Sequence, residues 1–422
     1  MELKPGYKQT EVGVIPEEWE TKSLGSVLSK GRLGGNYANQ DKEAELPLMK
    51  MGNLARGYID LSKIQFITPG VRPEPPHRLA YGDVLFNTRN TLDLVGKVAI
   101  WRDELPVAYY NSNLMRLEFD PEQICSNEYA NYALNTEGAV SRLRALATGT
   151  TSVAAIYTRD LMKLQVLVPR LPEQRAIASA LSDVDGLLGG LDRLVAKKRD
   201  LIQAAMQQLL TGQTRLPGFH GDWEVRRLGE LGSTYGGLTG KVKADFGEGS
   251  ARYITFMNVM TSVVIDCGTF EQVQVSPSES QNRVLKGDLF FNGSSETPEE
   301  VAMCSVLLDE VHDVYLNSFC FGFRFSARAE ADGLFFSYYL RSNVGRDFVK
   351  SLAQGSTRYN LSKSALVRST LQLPSLLEQT AIAEVLTVMD DELAALVQRR
   401  DKTRDLKQAM MQELLTGRTR LV

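Results

Sequence analysis

The sequence is poor in the residues from which most active sites and disulfide frameworks are built. It has three histidines and four cysteines in 422 residues, and no two cysteines form a CxxC pair. His77, His220 and His312 fall in unrelated segments, so we expect surface residues or loop residues with satisfied hydrogen bonds. No His, Cys and carboxylate spacing matches a metal site, and we expect the cysteines to be buried, reduced thiols.

The chain also lacks a basic excess and a long apolar run. Its 48 basic and 51 acidic residues give a formal net charge of −3, whereas a stand-alone nucleic-acid-binding protein is normally basic. Any affinity for DNA therefore has to come from local clustering or from a basic partner. The apolar stretches are too short to span a bilayer, and the N-terminus lacks the apolar core of a signal peptide. We expect a cytoplasmic protein that does not bind a membrane.

Catalytic motifs are missing as well. The segment 236–241 (GGLTGK) superficially resembles a phosphate-binding loop, but Tyr235 stands where that motif needs glycine and Val242 where it needs Ser or Thr. We interpret it as a flexible glycine loop. The sequence contains no dinucleotide-binding glycine motif after a strand, no Asn-Pro-Pro-aromatic motif of an amino-methyltransferase and no nuclease signature. A self-contained DNA enzyme is therefore the least favoured class.

What the sequence does contain is a long internal repeat. Residues 171–216 and 376–421 align without a gap at an offset of 205 residues and are identical at 25 of 46 positions. Both copies carry apolar residues at alternating spacings of four and three, which is typical of a coiled coil. The stripes comprise Ile177, Leu181, Val184, Leu188, Leu191, Val195, Ile202, Ala205 and Leu209, and then Ile382, Leu386, Met389, Leu393, Leu396, Met410 and Leu414. Lys198 interrupts the first stripe, and Arg400, Thr403 and Lys407 interrupt the second.

The repeated segments predict two long helices. Each follows or contains a proline (Pro172, Pro374) and ends near a glycine (Gly212, Gly417), which are typical start and stop signals. About 40 residues at 1.5 Å each give a helix of roughly 60 Å. Neither helix can bury its stripe alone, so we expect the two to pair antiparallel, with the domains at opposite ends. In the alternative, each helix packs on its own domain.

The segments before the helices also repeat, although more faintly. They predict mixed α/β (α+β) domains with curled sheets at residues 1–170 and 217–374, joined to helices at 171–216 and 375–422. We predict strands at Val95–Trp101, Leu114–Phe119 and Cys320–Phe325 and helices at 127–146 and 332–352. The copies do not match at 30–45, 69–80, 236–250 and 293–303. A shared scaffold with different loops suggests one fold that reads two different targets.

Several ordered motifs resemble one protein family. They are VIPEEW at 14–19, GDVLF at 82–86, LPEQRAI at 171–177 and the closing LLTG(Q/R)TRL of both helices. Together they resemble the specificity (S, HsdS) subunit of type I restriction-modification enzymes, over essentially the whole chain. The second copy departs from the pattern, with Leu377 in place of the usual proline and Thr380 where the first copy has Arg175.

The resemblance implies a non-catalytic subunit with two target recognition domains. Each domain would read one half of a bipartite, asymmetric site on double-stranded DNA, and the coiled coil would act as the ruler between the halves. The subunit would bind no cofactor itself. It would dock two methyltransferase (M) subunits that use S-adenosylmethionine, and restriction (R) subunits would add ATP- and magnesium-dependent cleavage. The competing interpretation is a non-enzymatic coiled-coil adaptor that binds only protein.

Candidate DNA-binding residues are forked, amide, hydroxyl and basic side chains in the loops of both domains, because these groups read base edges or hold phosphates. In the first domain they are Arg32, Asn36, Tyr37, Lys50, Arg56, Arg89, Asn90, Thr150 and Thr151. In the second domain they are Tyr235, Lys241, Lys243, Ser294, Ser295, Ser356, Thr357, Arg358 and Tyr359. Asn53, Asn87, Asn258 and Asn292 recur in both copies, so we rank them lower and expect a scaffold role.

Overall fold

The chain divides into two compact units. The computed structural model describes residues 5–150, 152–355 and 357–421. The first unit contains the residues up to Asp192 and those from Arg399 onward, and the second contains Arg193–Gln398. Each unit therefore combines strands and short helices with one part of each long helix.

The first unit is rich in short strands. These are β1 (Tyr7–Thr10), β2 (Gly13–Pro16), β3 (Glu20–Ser23), β4 (Leu28–Leu33), β5 (Asn39–Gln40), β6 (Pro47–Met49), β7 (Gln65–Ile67), β8 (Val84–Asn87), β9 (Arg89–Asn90), β10 (Val98–Ile100), β11 (Tyr109–Tyr110), β12 (Leu114–Phe119), β13 (Thr148–Gly149), β14 (Ala154–Ala155) and β15 (Gln165–Val168). Its helices are α1 (Leu24–Val27), α2 (Asn127–Leu134), α3 (Glu137–Ala145) and α4 (Thr158–Leu161), and the long helix α5 (Leu171–Leu209) follows.

The main sheet of the first unit has the antiparallel order β10-β8-β12-β4. All four residues of β8 are buried, because the strand is paired on both edges and covered on both faces. This explains why its sequence, VLFN, does not alternate between apolar and polar residues. A second sheet, β11-β6-β7-β5, contains the parallel pair of β11 and β6. The strand β14 pairs with both β9 and β13, and we call these three strands the first small sheet.

The second unit repeats this plan. Its strands are β16 (Glu224–Arg227), β17 (Gly232–Gly236), β18 (Phe246–Ile254), β19 (Glu271–Val273), β20 (Leu289–Asn292), β21 (Ser294–Ser295), β22 (Cys304–Val306), β23 (Val314–Leu316), β24 (Cys320–Phe325), β25 (Ala353–Gln354), β26 (Tyr359–Leu361) and β27 (Thr370–Leu373). Its helices are α6 (Leu228–Leu231), α7 (Phe256–Thr261), α8 (Gly333–Arg341), α9 (Asn343–Leu352) and α10 (Lys363–Arg368), before the second long helix α11 (Leu376–Leu414).

The main sheets of the two units correspond strand by strand, whereas the second sheet has four strands in the first unit and three in the second. The main sheet of the second unit is β17-β24-β20-β22, and a neighbouring sheet, β19-β18-β23, again contains one parallel pair. The strand β26 pairs with both β21 and β25, and these three form the second small sheet. The predicted mixed α/β fold is therefore confirmed, and so is its duplication.

Three of the predicted elements were wrong in detail. The single helix predicted at 127–146 is two helices, since Asn135 caps the end of the first and Thr136 caps the start of the second by accepting a hydrogen bond from Ala139 N at 3.3 Å. Ser342 divides 332–352 in the same way. The strand predicted at Val95–Trp101 is shorter, because only Val98–Ile100 pairs with β8. All four cysteines are free, as expected, but Cys125 and Cys267 are only half-buried.

The two long helices run antiparallel beside each other within each unit. In the first unit Asp185 pairs with Lys407, and Asp192 lies 3.9 Å from Arg400. In the second unit Lys198 pairs with Glu392. The predicted coiled coil is thus confirmed, and the charged residues that interrupt its apolar stripes have partners across the pair. Charged pairs at such positions fix the register of a coiled coil.

Each unit is built around the start of one long helix and the end of the other. The core of the first unit includes Ile177 and Leu181 of α5 together with Leu414 of α11. The core of the second unit includes Leu209 of α5 together with Ile382 and Leu386 of α11. Burial of one such side chain stabilises the fold by about 2 kcal/mol, so each unit needs both helices for its core.

The segment that follows each long helix contains an arginine that forms an ion pair with a buried glutamate near the start of the other long helix. In the first unit Arg420 donates to the fully buried carboxylate of Glu173, with one contact of 2.8 Å, and Trp19 Nε1 donates to the same group at 2.8 Å. In the second unit Arg215 forms a forked pair with the buried carboxylate of Glu378. The repeated LLTG(Q/R)TRL motif therefore neutralises the buried glutamate of the repeated EQ motif.

Candidate nucleic-acid interface

The polar residues that recur in both copies form the scaffold beneath the candidate interface. Asn53 is buried, and its amide donates to the carbonyls of Asp60 and Lys63 at 3.0 and 2.8 Å. Asn258 makes equivalent bonds to Asp266 and Thr269. Asn292 is also buried and bonds to three backbone groups around β21. These bonds satisfy Asn53, Asn258 and Asn292 internally, as a scaffold role requires. The fourth recurrent residue, Asn87, accepts a hydrogen bond from Arg89 N at 3.1 Å, but its Nδ2 atom is buried and has no partner among the described residues.

The first small sheet brings together candidates that are far apart in the sequence. Arg89 and Asn90 form β9, which pairs with β14 through Ala155 and Ala154. Thr150 lies in the turn between β13 and β14. The Arg89 side chain is exposed, and no ion pair or side-chain hydrogen bond holds it within the described part of the chain. A guanidinium without an ion pair among the described residues therefore lies on the edge strand of the first small sheet.

The turn of the first small sheet is closed by two reciprocal hydrogen bonds. Thr150 N donates to the carbonyl of Val153 at 2.9 Å, and Val153 N donates to Thr150 Oγ1 at 3.3 Å. Gly149 precedes the turn with φ of +132°, a conformation that favours glycine. Thr150 is exposed, and its hydroxyl also lies 3.2 Å from that of Ser152. The predicted neighbour Thr151 lies outside the described residues.

The second small sheet gathers the corresponding candidates of the second unit. Ser294 and Ser295 form β21, and Thr357, Arg358 and Tyr359 lead into β26. Arg358 is exposed, and its Nε donates to Ser294 Oγ at 3.2 Å. Ser295 Oγ donates to the carboxylate of Glu300 at 3.2 Å. The predicted Ser356 lies outside the described residues.

A second group of first-unit candidates lies around the sheet β11-β6-β7-β5. Asn36 is exposed, whereas the Tyr37 hydroxyl is bonded to His77 Nδ1 at 2.6 Å. Lys50 donates to Gln65 Oε1 at 2.6 Å and Asn39 Oδ1 at 3.2 Å. Arg32, on β4, lies 3.7 Å from the carboxylate of Glu118. Of these four, Asn36 has the most freely accessible side chain.

The second-unit candidates outside the small sheet differ in accessibility. Tyr235 is held in place, since its hydroxyl donates to the buried Asp288 at 2.5 Å and Arg324 lies over its ring. Burial raises the pKa of the Tyr235 hydroxyl, and the negative charge of Asp288 is the next largest cause of the increase. The Lys241 side chain is 5% exposed and pairs with Glu279 at 2.7 Å, which lowers the pKa of that carboxyl to about 2. Lys243 is exposed.

Arg56 lies apart from the other candidates. It lines a cleft of about 950 Å³ in the first unit, together with Arg102, Tyr132 and Lys407. Its Nη1 atom is buried and has no hydrogen-bond partner among the described residues. Burial, and then the charge of Arg144, lower its pKa.

Sequence reasoning missed several exposed residues beside the small sheets. Lys363, the first residue of α10, is exposed and lies 5.8 Å from the Phe321 ring. Phe319 is 63% exposed, and its carbonyl accepts a hydrogen bond from Gly293 N at 2.9 Å, next to β21. In the first unit Val153 and Tyr157 are 60% and 59% exposed. Exposed apolar and aromatic side chains of this kind can contact thymine methyl groups or stack on bases.

The histidines and carboxylates form no chemical centre in the part of the chain that the structure describes. His220 and His312 are exposed, and His77 is a buried loop residue with a satisfied hydrogen bond, as predicted. Across residues 5–150, 152–355 and 357–421, no cluster of His, Cys, Asp and Glu is arranged to hold a metal ion. Over the same ranges, no helix has the length and apolarity needed to cross a bilayer.

The duplicated fold with two dissimilar small sheets corresponds to a known family. The family model described as "Type I restriction modification DNA specificity domain" matches residues 16–191 and again residues 220–403. The chain therefore belongs to the family of type I restriction-modification DNA specificity subunits.

Proteins similar along their whole length carry the same description. The MjaX specificity subunit of a type I restriction enzyme in Methanocaldococcus jannaschii is 25% identical, with 98% of this chain and 97% of that protein covered. The MjaVIII specificity subunit of the same organism is 21% identical, with 96% and 94% covered.

Two solved structures share the fold. The S subunit of a type I restriction-modification system from M. genitalium is 16% identical, with a TM-score of 0.55 over 98% of both chains. A chain from a study of complex assembly and conformational transition of the type I restriction-modification system is 17% identical. Its TM-score is 0.57, with 96% of this chain and 99% of that chain covered.

Proposed function

We propose that this chain is a non-catalytic subunit that directs a type I restriction-modification complex to its DNA sequence. Each unit reads one half of a bipartite, asymmetric site through its small sheet and the neighbouring loops. The observation that carries this proposal is that the same three-stranded sheet is built twice with different exposed side chains. A repeated scaffold supplies the same docking geometry twice, and different side chains select different bases.

The paired long helices act in this proposal as the ruler between the two half-sites. A helix of 39 residues is about 60 Å long, which corresponds to on the order of 15 base pairs of DNA. A ruler has to resist sliding, and the charged pairs across the helices support this by fixing their register.

The proposal also includes two methyltransferase subunits docked on this chain, with restriction subunits in the complete complex. The net charge of −3 supports this arrangement, because a chain without a basic excess neutralises few DNA phosphates by itself. The M subunits share the phosphate contacts and hold the S-adenosylmethionine. ATP and magnesium belong to the complete complex and not to this chain.

The test is a gel-shift assay with the chain alone and with a co-expressed methyltransferase subunit. We expect weak, unselective binding by the chain alone and strong binding to a subset of sequences by the complex. A chain that captures the methyltransferase subunit while neither preparation shifts any DNA would instead be the protein-binding adaptor.

A further inference from the structure

The strands of the two small sheets match position by position, although their sequences differ and the turn between Gly149 and β14 is one residue longer than the turn between Gly355 and β26. In the first, Arg89 is paired with Ala155 and Asn90 with Ala154. In the second, Ser294 is paired with Asn360 and Ser295 with Tyr359. Both first strands begin two residues after the buried asparagine of the main sheet, Asn87 or Asn292. Arg89 and Ser294 therefore occupy the same position in the fold.

The turns of the two sheets also provide an equivalent position. Gly149 and Gly355 have φ of +132° and +125°, and a Cβ on either would come within 2.3 Å of the carbonyl oxygen of Val153 or 2.1 Å of that of Arg358. Val153 and Arg358 each directly precede the returning strand, so they correspond. The first sheet thus has arginine on the strand and valine at the turn, whereas the second has serine on the strand and arginine at the turn.

A hydrogen bond in the second small sheet brings the arginine at the turn close to the serine on the strand. Arg358 Nε donates to Ser294 Oγ at 3.2 Å, so its guanidinium reaches back over the position that Arg89 holds in the first sheet. Both guanidinium groups are exposed, and neither forms an ion pair within the described residues. The hydrogen bond to Ser294 uses the Nε–H of Arg358 and leaves its two Nη groups as a forked pair of donors.

We propose that Arg89 and Arg358 supply one guanine-reading position of this fold from opposite strands of the small sheet. The proposal rests on the proposed function and names the base that this part of each unit recognises. A guanidinium fork matches the O6 and N7 acceptors of guanine in the major groove, and anchoring one edge of the fork in advance favours such a geometry. In the first unit the exposed Val153 is then free to contact a thymine methyl group.

The experiment moves the arginine of the first unit to the place it has in the second. The variants are Arg89→Ser, the double variant Arg89→Ser with Val153→Arg, and Arg89→Lys, each assembled with the methyltransferase subunits. Methylation rates are measured on oligonucleotides carrying every single base-pair change in the two half-sites. Arg89 and Val153 are exposed, so the fold should tolerate the changes, and thermal unfolding of each variant checks this.

We expect Arg89→Ser to reduce discrimination at one G·C pair of the first half-site by about tenfold or more, with the second half-site unchanged. The double variant should restore that discrimination, and Arg89→Lys, which keeps the charge without the fork, should not. The matched exchange in the second unit, Arg358→Val with Ser294→Arg, should preserve discrimination in the second half-site.

Three outcomes would overturn this assignment. An equal loss on all sequences after Arg89→Ser, restored by lysine, would identify a phosphate contact. No rescue by the double variant would mean that the two arginines do not share a position. No change in discrimination after Arg89→Ser would show that Arg89 reads no base. If the unaltered complex methylates without a bipartite preference, the proposed function itself fails, which is a distinguishable result.

Discussion

At the scale of single residues, the buried glutamates at the start of the long helices show how the chain joins distant segments. Glu173 has no exposed surface, and Arg420, 247 residues later, supplies its counter-charge. A buried carboxylate without a partner is strongly destabilising. The short motif at the end of each long helix thus supplies the counter-charge of a buried glutamate.

Replacing Arg420 with alanine should lower the free energy of unfolding of the first unit by on the order of 3 kcal/mol, since Glu173 would be left with Trp19 alone. Denaturant unfolding measures the change. The matched control is Arg418→Ala, whose exposed pair with Glu413 at 3.8 Å should contribute less than about 1 kcal/mol. Equal effects of the two variants would contradict the role assigned to the buried pair.

The recurrent asparagines allow a second test at the residue scale. Asn258→Ala removes bonds to the carbonyl of Asp266 and to Thr269, so we expect a loss of about 1–3 kcal/mol in stability. The bases preferred by the complex should not change. Asn36→Ala is the control, because Asn36 is exposed, and should leave stability within about 0.5 kcal/mol. A change of recognised base in Asn258→Ala would show that this side chain reads DNA.

At the scale of elements, each domain is tied to its long helix by a matching hydrogen bond. Tyr132 donates to Asp185 at 2.6 Å in the first unit, and Tyr338 donates to Asp390 at 2.8 Å in the second. Burial raises the pKa of both tyrosines, so both remain donors at neutral pH. The same contact in both copies fixes the orientation of a domain on its helix.

Tyr132→Phe should keep the packed ring and lose only this bond. We expect a decrease of about 1 kcal/mol in unfolding free energy and faster hydrogen exchange where α2 meets α5. Tyr157→Phe serves as the control, because Tyr157 is exposed at the small sheet. Unchanged exchange around α2 in Tyr132→Phe would argue that apolar packing alone fixes the domain.

Elements with a local signal could be predicted from the sequence, whereas those that depend on distant pairing could not. The strands Leu114–Phe119 and Cys320–Phe325 have the predicted bounds, because their apolar runs are bounded by turn residues. The candidates Arg89 and Thr150 were predicted separately. Nothing local shows that they share one sheet, since the pairing of β9 with β14 joins segments about 60 residues apart.

The positions of Lys363 and Lys241 could not be predicted for the same reason, because they depend on segments that are distant in the sequence. Lys363 begins the short helix α10, which follows β26 and packs against α6 and β17 from the opposite end of the second unit's sequence. Its only local signal is a basic residue after a strand. The burial of Lys241 was likewise invisible, because its partner Glu279 lies 38 residues away. Charge alone cannot distinguish a structural lysine from one that faces a ligand.

At the scale of the whole molecule, duplication explains both what the copies share and where they differ. The recurring residues build the cores and the glutamate pairs. The differing residues lie at the small sheets and nearby loops, and they also form most of the charged pairs across the long helices. Selection for a new target can therefore alter one unit's surface without disturbing the helices that both units use.

The ruler proposal predicts the effect of lengthening both helices together. One additional heptad in each, inserted after Asp192 and after Gln398, adds about 10 Å of helix and should lengthen the unread spacer by about three base pairs. The half-site sequences should stay the same, and mapping of methylated sites measures both. A changed half-site with an unchanged spacer would contradict the ruler.

The most direct test of the central claim is a genome-wide map of methylated adenines in a host that carries this chain with its methyltransferase subunits. The account predicts one motif with two unlike halves separated by a fixed number of unread positions, and it predicts that the motif disappears when this chain is deleted. A continuous or palindromic motif, or a motif that persists after the deletion, would contradict the claim that two dissimilar units of one chain select the DNA.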